Sequence, residues 1–381
     1  MEATGVYWIP LFELLESRGF EVLLVDPRQT KAVKGRPKTD RLDCQWIQRL
    51  HACGLLAGSF RPGDEVVVLR GYLRQRQMLV RSASRHVQHL QKALEQMNVK
   101  LTEVVADVTG KTGLDIIRAI LAGERDPAEL AKLRNVHCKV GEAGLAQALQ
   151  GNWRQEHLFE LKQALDLWEH YLGLIRECDG EIERYLRDLP GKDGVAALPA
   201  RPKARKLKPH EPAYDARGLV HRACGVDLTA IEGIDQATAL VLLGEVGPDL
   251  ARFPTAKKFS AWLGLCPQPR QSGGGLQSSR VRPGINRAAQ ALRLAARSLH
   301  HSRSALGAFY RRMKSRLGGP KAIVATAHKL ARLVYAMLTK GQAYVAQAME
   351  EYERSFEARR LIGLSRQAES LGYRLEPLPA G

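Results

Sequence analysis

Two long stretches of the sequence carry apolar residues at alternating steps of three and four positions. The first stretch, residues 66–101, is apolar at ten of eleven such positions, and Arg76 is the exception. The second stretch, residues 158–189, is apolar at nine of ten positions, and Asp179 is the exception. This spacing places apolar side chains on one helix face. It predicts a coiled coil or a long antiparallel helix pair, and two ordinary helices packed in one domain are the alternative.

The residues before the first long stretch alternate between helical and strand patterns. Residues 3–19 have the pattern of a helix that ends at Gly19, and the apolar run 20–25 has that of a buried strand. Another helix is predicted from Thr39, a residue type that favours the N-cap position. This alternation predicts an α/β unit over residues 1–65.

The rest of the chain divides into four predicted regions. Residues 66–189 form the helical region, and residues 190–225, rich in proline, glycine and basic side chains, form a linker. Residues 226–345 form a mainly α-helical domain, followed by a C-terminal helix and tail over 346–381. Within the helical domain, residues 228–247 resemble a helix-hairpin-helix, a motif that offers backbone N–H groups to phosphates. An ordinary packing corner between helices is an equal alternative.

The position of the positive charge is the strongest compositional signal. The net charge is +18, yet residues 250–349 contain no Asp or Glu and hold 18 Lys or Arg. Outside this window, 40 basic residues balance 40 acidic ones. A solvated surface normally mixes both signs, so this window predicts binding to a polyanion such as DNA. An anionic membrane surface is the minor alternative.

Several other protein classes do not fit the sequence. No apolar run approaches the ~18 residues of a membrane span, and the first ten residues lack the pattern of a signal peptide. The six cysteines are scattered and form no CxxC pair, which argues against a zinc site or a disulfide framework. We therefore expect a cytoplasmic protein without a membrane partner.

Ser272 and the glycines that follow it are one candidate site of chemistry. The serine precedes three consecutive glycines, and Arg270, Arg280 and Arg282 flank the segment. Glycine lets the backbone approach a bulky partner. A hydroxyl nucleophile that attacks a phosphate needs such access, and it needs cations nearby. A plain glycine-rich linker is the alternative. The basic residues predicted to contact phosphates are Lys257, Lys258, Arg270, Arg280, Arg282, Arg287, Arg293 and Arg297.

Asp40 and Asp43 are a second candidate. They stand three residues apart in the first turn of the helix predicted from Thr39, which places both carboxylates on one side. Acidic residues also favour the start of any helix, so two solvated charges are the alternative. Together with Glu2, the pair has the oxygen ligands that Mg²⁺ prefers.

Two parts of the chain resemble a known family. The segment EATGVYWIPLFELLESRGFEVLLVDPRQTKAVKGRPKTDRLDCQWIQRL resembles the N-terminal domain of the DEDD-type insertion-sequence transposases. The segments IEGIDQATALVLLGEVG and RFPTAKKFSAWLGLCPQPRQSGG, followed by GINRAAQALRLAA, resemble their C-terminal transposase domain. The resemblance covers most of residues 1–345 in the order that the family has.

The resemblance implies a fold class of α/β plus α. In this arrangement a RuvC-like, RNase H-type α/β domain precedes a long helical coiled-coil region and a mainly α-helical transposase domain. The resemblance also implies that Glu2, Asp40 and Asp43 coordinate Mg²⁺ at the scissile phosphate, and that Ser272 forms a covalent phosphoserine link to DNA. The expected partners are the DNA of the element ends and target, a structured guide RNA, and further copies of the chain in a dimer or tetramer. The expected location is the bacterial nucleoid.

One departure from the family pattern affects the expected activity. The first aspartate of the family lies on an opening strand, tens of residues before the glutamate, whereas Glu2 directly follows Met1 here. Either the true start lies upstream or the chain is a truncated, decayed copy. A sheet without its opening strands loses pairing partners, so we expect this 381-residue chain alone to be poorly active or inactive. Two further functions remain open. They are a metal-only RuvC-like nuclease with Ser272 as a plain loop residue, and a non-catalytic nucleic-acid-binding protein.

Overall fold

The computed structural model describes residues 1–30, 39–192, 197–199, 211–281, 284 and 286–376. The chain divides into two compact units, Met1–Gly63 (unit 1) and Asp64–Gly381 (unit 2). The border between them lies close to the one predicted after residue 65. The predicted helical region and the predicted transposase domain share unit 2.

Unit 1 combines short helices with a few extended residues. Its helices are α1 (Trp8–Ser17), α2 (Pro27–Thr30) and α3 (Asp40–Ala52). The helix predicted over residues 3–19 therefore starts later than expected. The strand predicted over residues 20–25 is reduced to single bridges, in which Val25 pairs in parallel with Glu2 and antiparallel with Gly58. A strand needs a continuous neighbour to form a ladder, and the described residues of unit 1 offer Val25 only short segments.

Unit 2 is built on two long helices, α4 (Asp64–Gln96) and α9 (Gln155–Asp188). Near the end of α9, the Tyr185 hydroxyl donates a hydrogen bond of 2.8 Å to the Glu65 carbonyl at the start of α4. The end of one helix therefore meets the start of the other, and the predicted antiparallel helix pair is confirmed. Four short helices connect the two: α5 (Leu101–Val104), α6 (Lys111–Ala122), α7 (Pro127–Lys132) and α8 (Glu142–Ala148).

The two polar exceptions in the apolar pattern of this helix pair contact each other. Arg76 Nε donates to Asp179 Oδ1 at 2.5 Å, and its Nη2 donates to Oδ2 at 3.1 Å. Asp179 is only 8% exposed. A buried charge is tolerated when it is paired and hydrogen-bonded. Arg76 and Asp179 can therefore stand in an otherwise apolar seam because each neutralises the charge of the other. A shift along the helices would place both charges against apolar side chains, and the ion pair thus favours a single register.

The remainder of unit 2 is a helical domain with one β-hairpin. Residues 216–224, predicted as part of the basic linker, instead form helix α10 (Ala216–Cys224). Residues 193–196 and 200–210 of that linker lie outside the described residues. The elements that follow are α11 (Gln236–Val246), α12 (Ala256–Trp262), β1 (Arg270–Ser272), β2 (Gly275–Ser278), α13 (Arg287–Ser298), α14 (Ala305–Leu317), α15 (Gly319–Lys340) and α16 (Gln342–Ser370).

Helix α15 is the central element of this domain, because it packs against α12, α13, α14 and α16. Both α13 and α15 bury small side chains, which let helices approach each other closely. The buried alanines are Ala288, Ala289, Ala295 and Ala296 of α13, and Ala322, Ala327 and Ala331 of α15. In the part of the chain that is described, no helix is both long and apolar enough to cross a membrane.

Polar contacts anchor the long helix pair to the helical domain. Arg70 of α4 donates to the last carbonyls of α11, to Gly244 O at 3.1 Å and to Glu245 O at 2.7 Å. These carbonyls have no partner within their own helix. Arg74 forms two hydrogen bonds with the Glu245 carboxylate, at 3.0 and 2.9 Å. A Cβ at Gly244 would lie 2.4 Å from Leu73 Cδ1, so a larger residue there would force the Leu73 side chain to move.

Candidate nucleic-acid interface and recombinase residues

Ser272 lies beside the turn of a two-stranded hairpin. Strands β1 and β2 are antiparallel, and Ser272 pairs with Gly275. The two residues between them, Gly273 and Gly274, have φ angles of +57° and +78°. Positive φ at both central residues is typical of the type I′ turn, which glycine adopts readily. The glycine run therefore forms a defined turn. Access for a bulky partner, which the sequence predicts at these glycines, would be at this turn.

The turn of this hairpin extends into open space. A Cβ placed at Gly273 or at Gly274 would meet no other atom within 4 Å, and Ser272 itself is exposed. At the base of the hairpin, Pro267 and Val281 form an antiparallel bridge, and the Gln268 N–H donates to Arg280 O at 3.0 Å. The hydroxyl is thus presented to solvent beside a tight turn.

Helices on either side hold the two ends of the hairpin. Before it, the Leu265 N–H donates to Ser260 O at 3.1 Å, and the Leu265 side chain is buried. After it, Asn286 caps α13 by accepting a hydrogen bond of 3.0 Å from the Ala289 N–H. The described part of the hairpin thus follows a segment held against α12 and precedes the capped start of α13.

Four of the predicted phosphate-binding residues are exposed cations. Lys257 and Lys258 stand in the first turn of α12, Arg280 follows β2, and Arg297 lies near the end of α13. Their exposure is compatible with contacts to a polyanion, although a solvated basic surface has the same appearance. Arg270 is the first residue of β1, and Arg282 lies outside the described residues.

Arg287 differs from these exposed residues, because it is half-buried and engaged within the protein. Its Nη1 donates to Gln77 Oε1 of α4 at 2.8 Å. Burial, followed by the nearby Arg74 guanidinium, lowers the pKa of Arg287. The structure thus assigns Arg287 to the contact between α13 and α4. Arg293 is also half-buried, and its Nε has no hydrogen-bond partner among the described residues.

The segment that resembles a helix-hairpin-helix has only one full helix. Its first part is a single 3₁₀ turn, Leu228–Ala230, and its second part is α11. Gly233 between them has a φ of +89°, and a Cβ there would lie 3.0 Å from both Ala295 O and Leu299 Cγ. This glycine therefore packs against α13. The contact favours the packing-corner interpretation of residues 228–247 over phosphate binding at this turn.

The three predicted metal ligands all lie in unit 1. Thr39 caps α3 by accepting a hydrogen bond of 3.3 Å from the Leu42 N–H, and this places Asp40 and Asp43 in the first turn. Asp40 is exposed and Asp43 is half-exposed. Ser272 belongs to unit 2.

The carboxylate of Glu2 is held by two hydroxyl groups. Thr4 Oγ1 donates to its Oε1, and Thr30 Oγ1 donates to its Oε2, each at 2.8 Å. The Thr30 carbonyl in turn accepts a hydrogen bond of 3.0 Å from Trp46 Nε1 of α3. A short hydrogen-bonded chain thus links Glu2 to the helix that carries Asp40 and Asp43.

The three predicted ligands do not form a complete metal centre in the described structure. Among the described residues, no group of three or more His, Cys, Asp or Glu side chains is placed so that it could hold a metal ion. One or two carboxylates together with substrate phosphates are a common environment for Mg²⁺, so a metal role for Asp40 and Asp43 stays a prediction.

Two protein-family models match the chain. A model described as a transposase, of the DEDD type found in the IS110 family, matches residues 1–99, which span unit 1 and all of α4. A model described as "Transposase IS116/IS110/IS902 family" matches residues 227–311, which include α11, α12, the hairpin and α13. The chain belongs to the IS110/IS116 family of DEDD-type transposases. It is accordingly a DNA transposase, an enzyme that recombines DNA. No curated protein matches the transposase significantly.

Sequence reasoning missed one set of basic residues in the transposase. His328, Lys329, Arg332 and Lys340 of α15 line a common groove. The acid-free window includes all four residues and was the one sequence feature that could have pointed to them. The spacing of these residues along α15 looks like that of any solvated helix face, so the sequence did not single them out.

Proposed function

We propose that the transposase cuts and rejoins DNA with the Ser272 hydroxyl as its nucleophile. The observation that carries this proposal is the position of Ser272 beside a two-glycine turn that extends into open space. A side chain at this position can approach a backbone phosphate without a clash between the DNA and the protein. The plain-linker alternative does not require an antiparallel hairpin whose turn has two glycines at positive φ.

The proposed step is an exchange of ester bonds at phosphorus. The Ser272 oxygen attacks the phosphorus of a DNA phosphodiester, and a new serine–phosphate bond forms as a sugar–phosphate bond breaks. The serine proton leaves to solvent or to a neighbouring base, and the departing sugar oxygen takes up a proton. A sugar hydroxyl from another DNA end then attacks the phosphoserine and releases the serine. The number of phosphate ester bonds is conserved, so no external energy source is needed.

The acid-free window supplies the affinity for DNA in this proposal. Exposed lysines and arginines that contact phosphates release counterions, and this makes binding strong and dependent on salt. Of the eight phosphate contacts predicted from the sequence, Lys257, Lys258, Arg280 and Arg297 are exposed. Cations near Ser272 also stabilise the charge that develops on the phosphoryl group.

The proposal includes the partners that the family resemblance implies. These are a magnesium ion, a structured guide RNA and further copies of the chain. DEDD transposases are usually metal-dependent, and we propose that Asp40 and Asp43 serve the same reaction as Ser272. The described residues do not assemble a three-ligand centre, and a bound Mg²⁺ would stabilise negative charge on the phosphate.

The direct test is to locate the covalent adduct. The full chain, with Mg²⁺ and RNA transcribed from the element, is incubated in excess over labelled DNA that carries the element ends. One event per DNA molecule then suffices, which makes the test sensitive to the poor activity that the sequence predicts for this chain. We expect an adduct that survives denaturing gel electrophoresis. After nuclease and protease digestion, mass spectrometry should find the nucleotide remnant on the peptide that contains Ser272. DNA cleavage without any adduct would instead indicate a metal-only nuclease, and a remnant on another residue would refute the role of Ser272.

A second test separates catalysis from DNA binding. Asp40→Asn and Asp43→Asn remove negative charge from the start of α3 and keep the size of each side chain. We expect both variants to lose adduct formation and to bind DNA with unchanged affinity, because α3 lies outside the acid-free window. Glu21→Gln, which changes an exposed carboxylate of the same unit, is the matched control. If Asp40→Asn and Asp43→Asn formed the adduct as well as Glu21→Gln does, the two aspartates would have no catalytic role.

A further inference from the structure

A basic groove runs along helix α15 of the transposase. Its volume is about 880 Å³, and it is bounded by residues of α12, α14, α15 and α16. The basic groups that line it are His328, Lys329, Arg332 and Lys340, and none of its described lining residues is acidic. A concave surface with several cations and no compensating carboxylate attracts anions.

Aromatic rings lie among these cations. Lys329 Nζ is 4.8 Å from the ring centre of Phe309, and it is 3.3 Å from that of Tyr352 on α16. Lys340 Nζ is 4.4 Å from the ring centre of Tyr344. Each ring therefore stabilises a cation through its π face. Burial lowers the pKa of Lys329, which means that its charge is partly removed from water.

The groove lies within the acid-free window, but its lining contains none of the residues named above for the Ser272 reaction or for DNA binding. None of the residues that line it belongs to the Ser272 hairpin. Most of its lining comes from α15, which follows the last residue of the match over 227–311. The reaction proposed for Ser272 and the assignment of the chain to its family therefore leave this groove without a role.

We propose that this groove binds an unpaired stretch of nucleic acid. Its phosphates contact Lys329, Arg332 and Lys340, and one base stacks on Tyr344. Grooves of this kind, with cations that follow the backbone and aromatic rings that stack on bases, bind single strands with little dependence on sequence. A duplex keeps its base faces inside the helix, where the Tyr344 ring cannot reach them.

The chemistry that the groove recognises is a phosphate joined to an exposed base. Single-stranded DNA, single-stranded RNA and a free mononucleotide all carry it. The three proposed phosphate contacts are spread over α15 from Lys329 to Lys340, a distance of roughly 16 Å at the rise of an α-helix. This spacing suits several successive phosphates better than it suits one, and it favours a strand over a free nucleotide.

The test measures binding of the full chain by fluorescence anisotropy. The probes are a labelled oligothymidine, an oligouridine and a DNA duplex of the same length, with thymidine monophosphate as a competitor. Tyr344 is 49% exposed, so Tyr344→Ala removes the stacking ring with little effect on the core. We expect this variant to bind the single strands about tenfold more weakly and the duplex unchanged. Comparable losses for oligothymidine and oligouridine would mean that the groove accepts both sugars.

A second variant tests the phosphate contacts. Arg332→Gln removes an exposed cation of the groove, and we expect it to reduce the salt dependence of single-strand binding by about 0.7 in the logarithmic slope. The matched controls are Tyr373→Ala and Arg366→Gln, an exposed tyrosine and an exposed arginine that lie outside the acid-free window and do not line the groove. Both should bind like the wild-type chain.

Three results would overturn the proposal. The first is equal single-strand binding by Tyr344→Ala and Tyr373→Ala. The second is an equal loss of duplex and single-strand binding in Tyr344→Ala. The third is displacement of oligothymidine by thymidine monophosphate at similar concentrations, which would assign the groove to free nucleotides. Adduct formation at Ser272 is measured separately, so either proposal can fail while the other stands.

Discussion

Replacing Arg76 with leucine is expected to lower the free energy of unfolding by about 3–5 kcal/mol. The change leaves the Asp179 carboxylate buried between α4 and α9 without the guanidinium that now binds it through two hydrogen bonds. Removal of one partner from a buried ion pair is costly, because the remaining charge has neither water nor a counter-charge. Urea unfolding of the full chain, followed by circular dichroism at a helical wavelength, measures the loss.

The double variant Arg76→Leu/Asp179→Leu separates the ion pair from simple packing. It replaces both charges with apolar side chains in a seam that is otherwise apolar, so we expect it to recover most or all of the lost stability. Arg118→Met is the matched control. Arg118 also pairs with a carboxylate of α9, that of Glu169, but both side chains are about half exposed. Its loss should cost less than about 1 kcal/mol. Equal effects of Arg76→Leu and Arg118→Met would contradict a structural role for the buried pair.

The same ion pair shows how far the sequence determined the fold. The apolar spacing predicted two long helices, and it marked Arg76 and Asp179 as the only polar positions in each seam. It did not show that these two residues meet, because an apolar stripe fits a parallel partner as well as an antiparallel one. A prediction that paired the two exceptions would have found both the direction and the register of the helices.

Unit 1 was harder to predict for a different physical reason. The apolar run over residues 20–25 has the composition of a buried strand, yet only Val25 forms bridges, with Glu2 and Gly58. Helices satisfy their own backbone hydrogen bonds locally, whereas a strand depends on neighbours that are distant in sequence. Local composition therefore predicted α3 and its Thr39 cap well, and it overestimated the strand.

The basic residues of the candidate site were predicted from residue type alone, and the structure shows which of them are exposed. Arg287 and Arg297 look equivalent in the sequence, as basic residues of one helix. In the structure, Arg287 donates to Gln77 of α4, and Arg297 is exposed. The partner of Arg287 lies 210 residues away in the sequence, so no local pattern could separate the two. From the sequence, the glycines after Ser272 were expected only to let a bulky partner approach the backbone. The positive φ angles of Gly273 and Gly274 show that they also form the turn beside Ser272.

Replacing Ser272 with alanine is expected to abolish the covalent protein–DNA adduct and to reduce strand transfer by roughly a thousandfold or more. Alanine lacks the oxygen that attacks phosphorus. Because Ser272 is exposed, its replacement by alanine should leave the fold intact, and unfolding would not explain the lost activity. The affinity for DNA should be unchanged, because one neutral hydroxyl adds little to binding that depends on many phosphate contacts. Adduct formation, strand transfer and anisotropy with labelled DNA provide the three readouts.

The control for this prediction lies in the same segment of the chain. Ser279 is an exposed serine just after β2, so Ser279→Ala removes a hydroxyl of the same kind a few residues from the turn. We expect Ser279→Ala to retain both the adduct and strand transfer. If Ser272→Ala retained them as well, the hairpin would be a DNA contact without a nucleophile. A loss in both variants would point to the shape of the hairpin rather than to one hydroxyl. Only a loss confined to Ser272→Ala, with DNA affinity intact, assigns the attacking oxygen to Ser272.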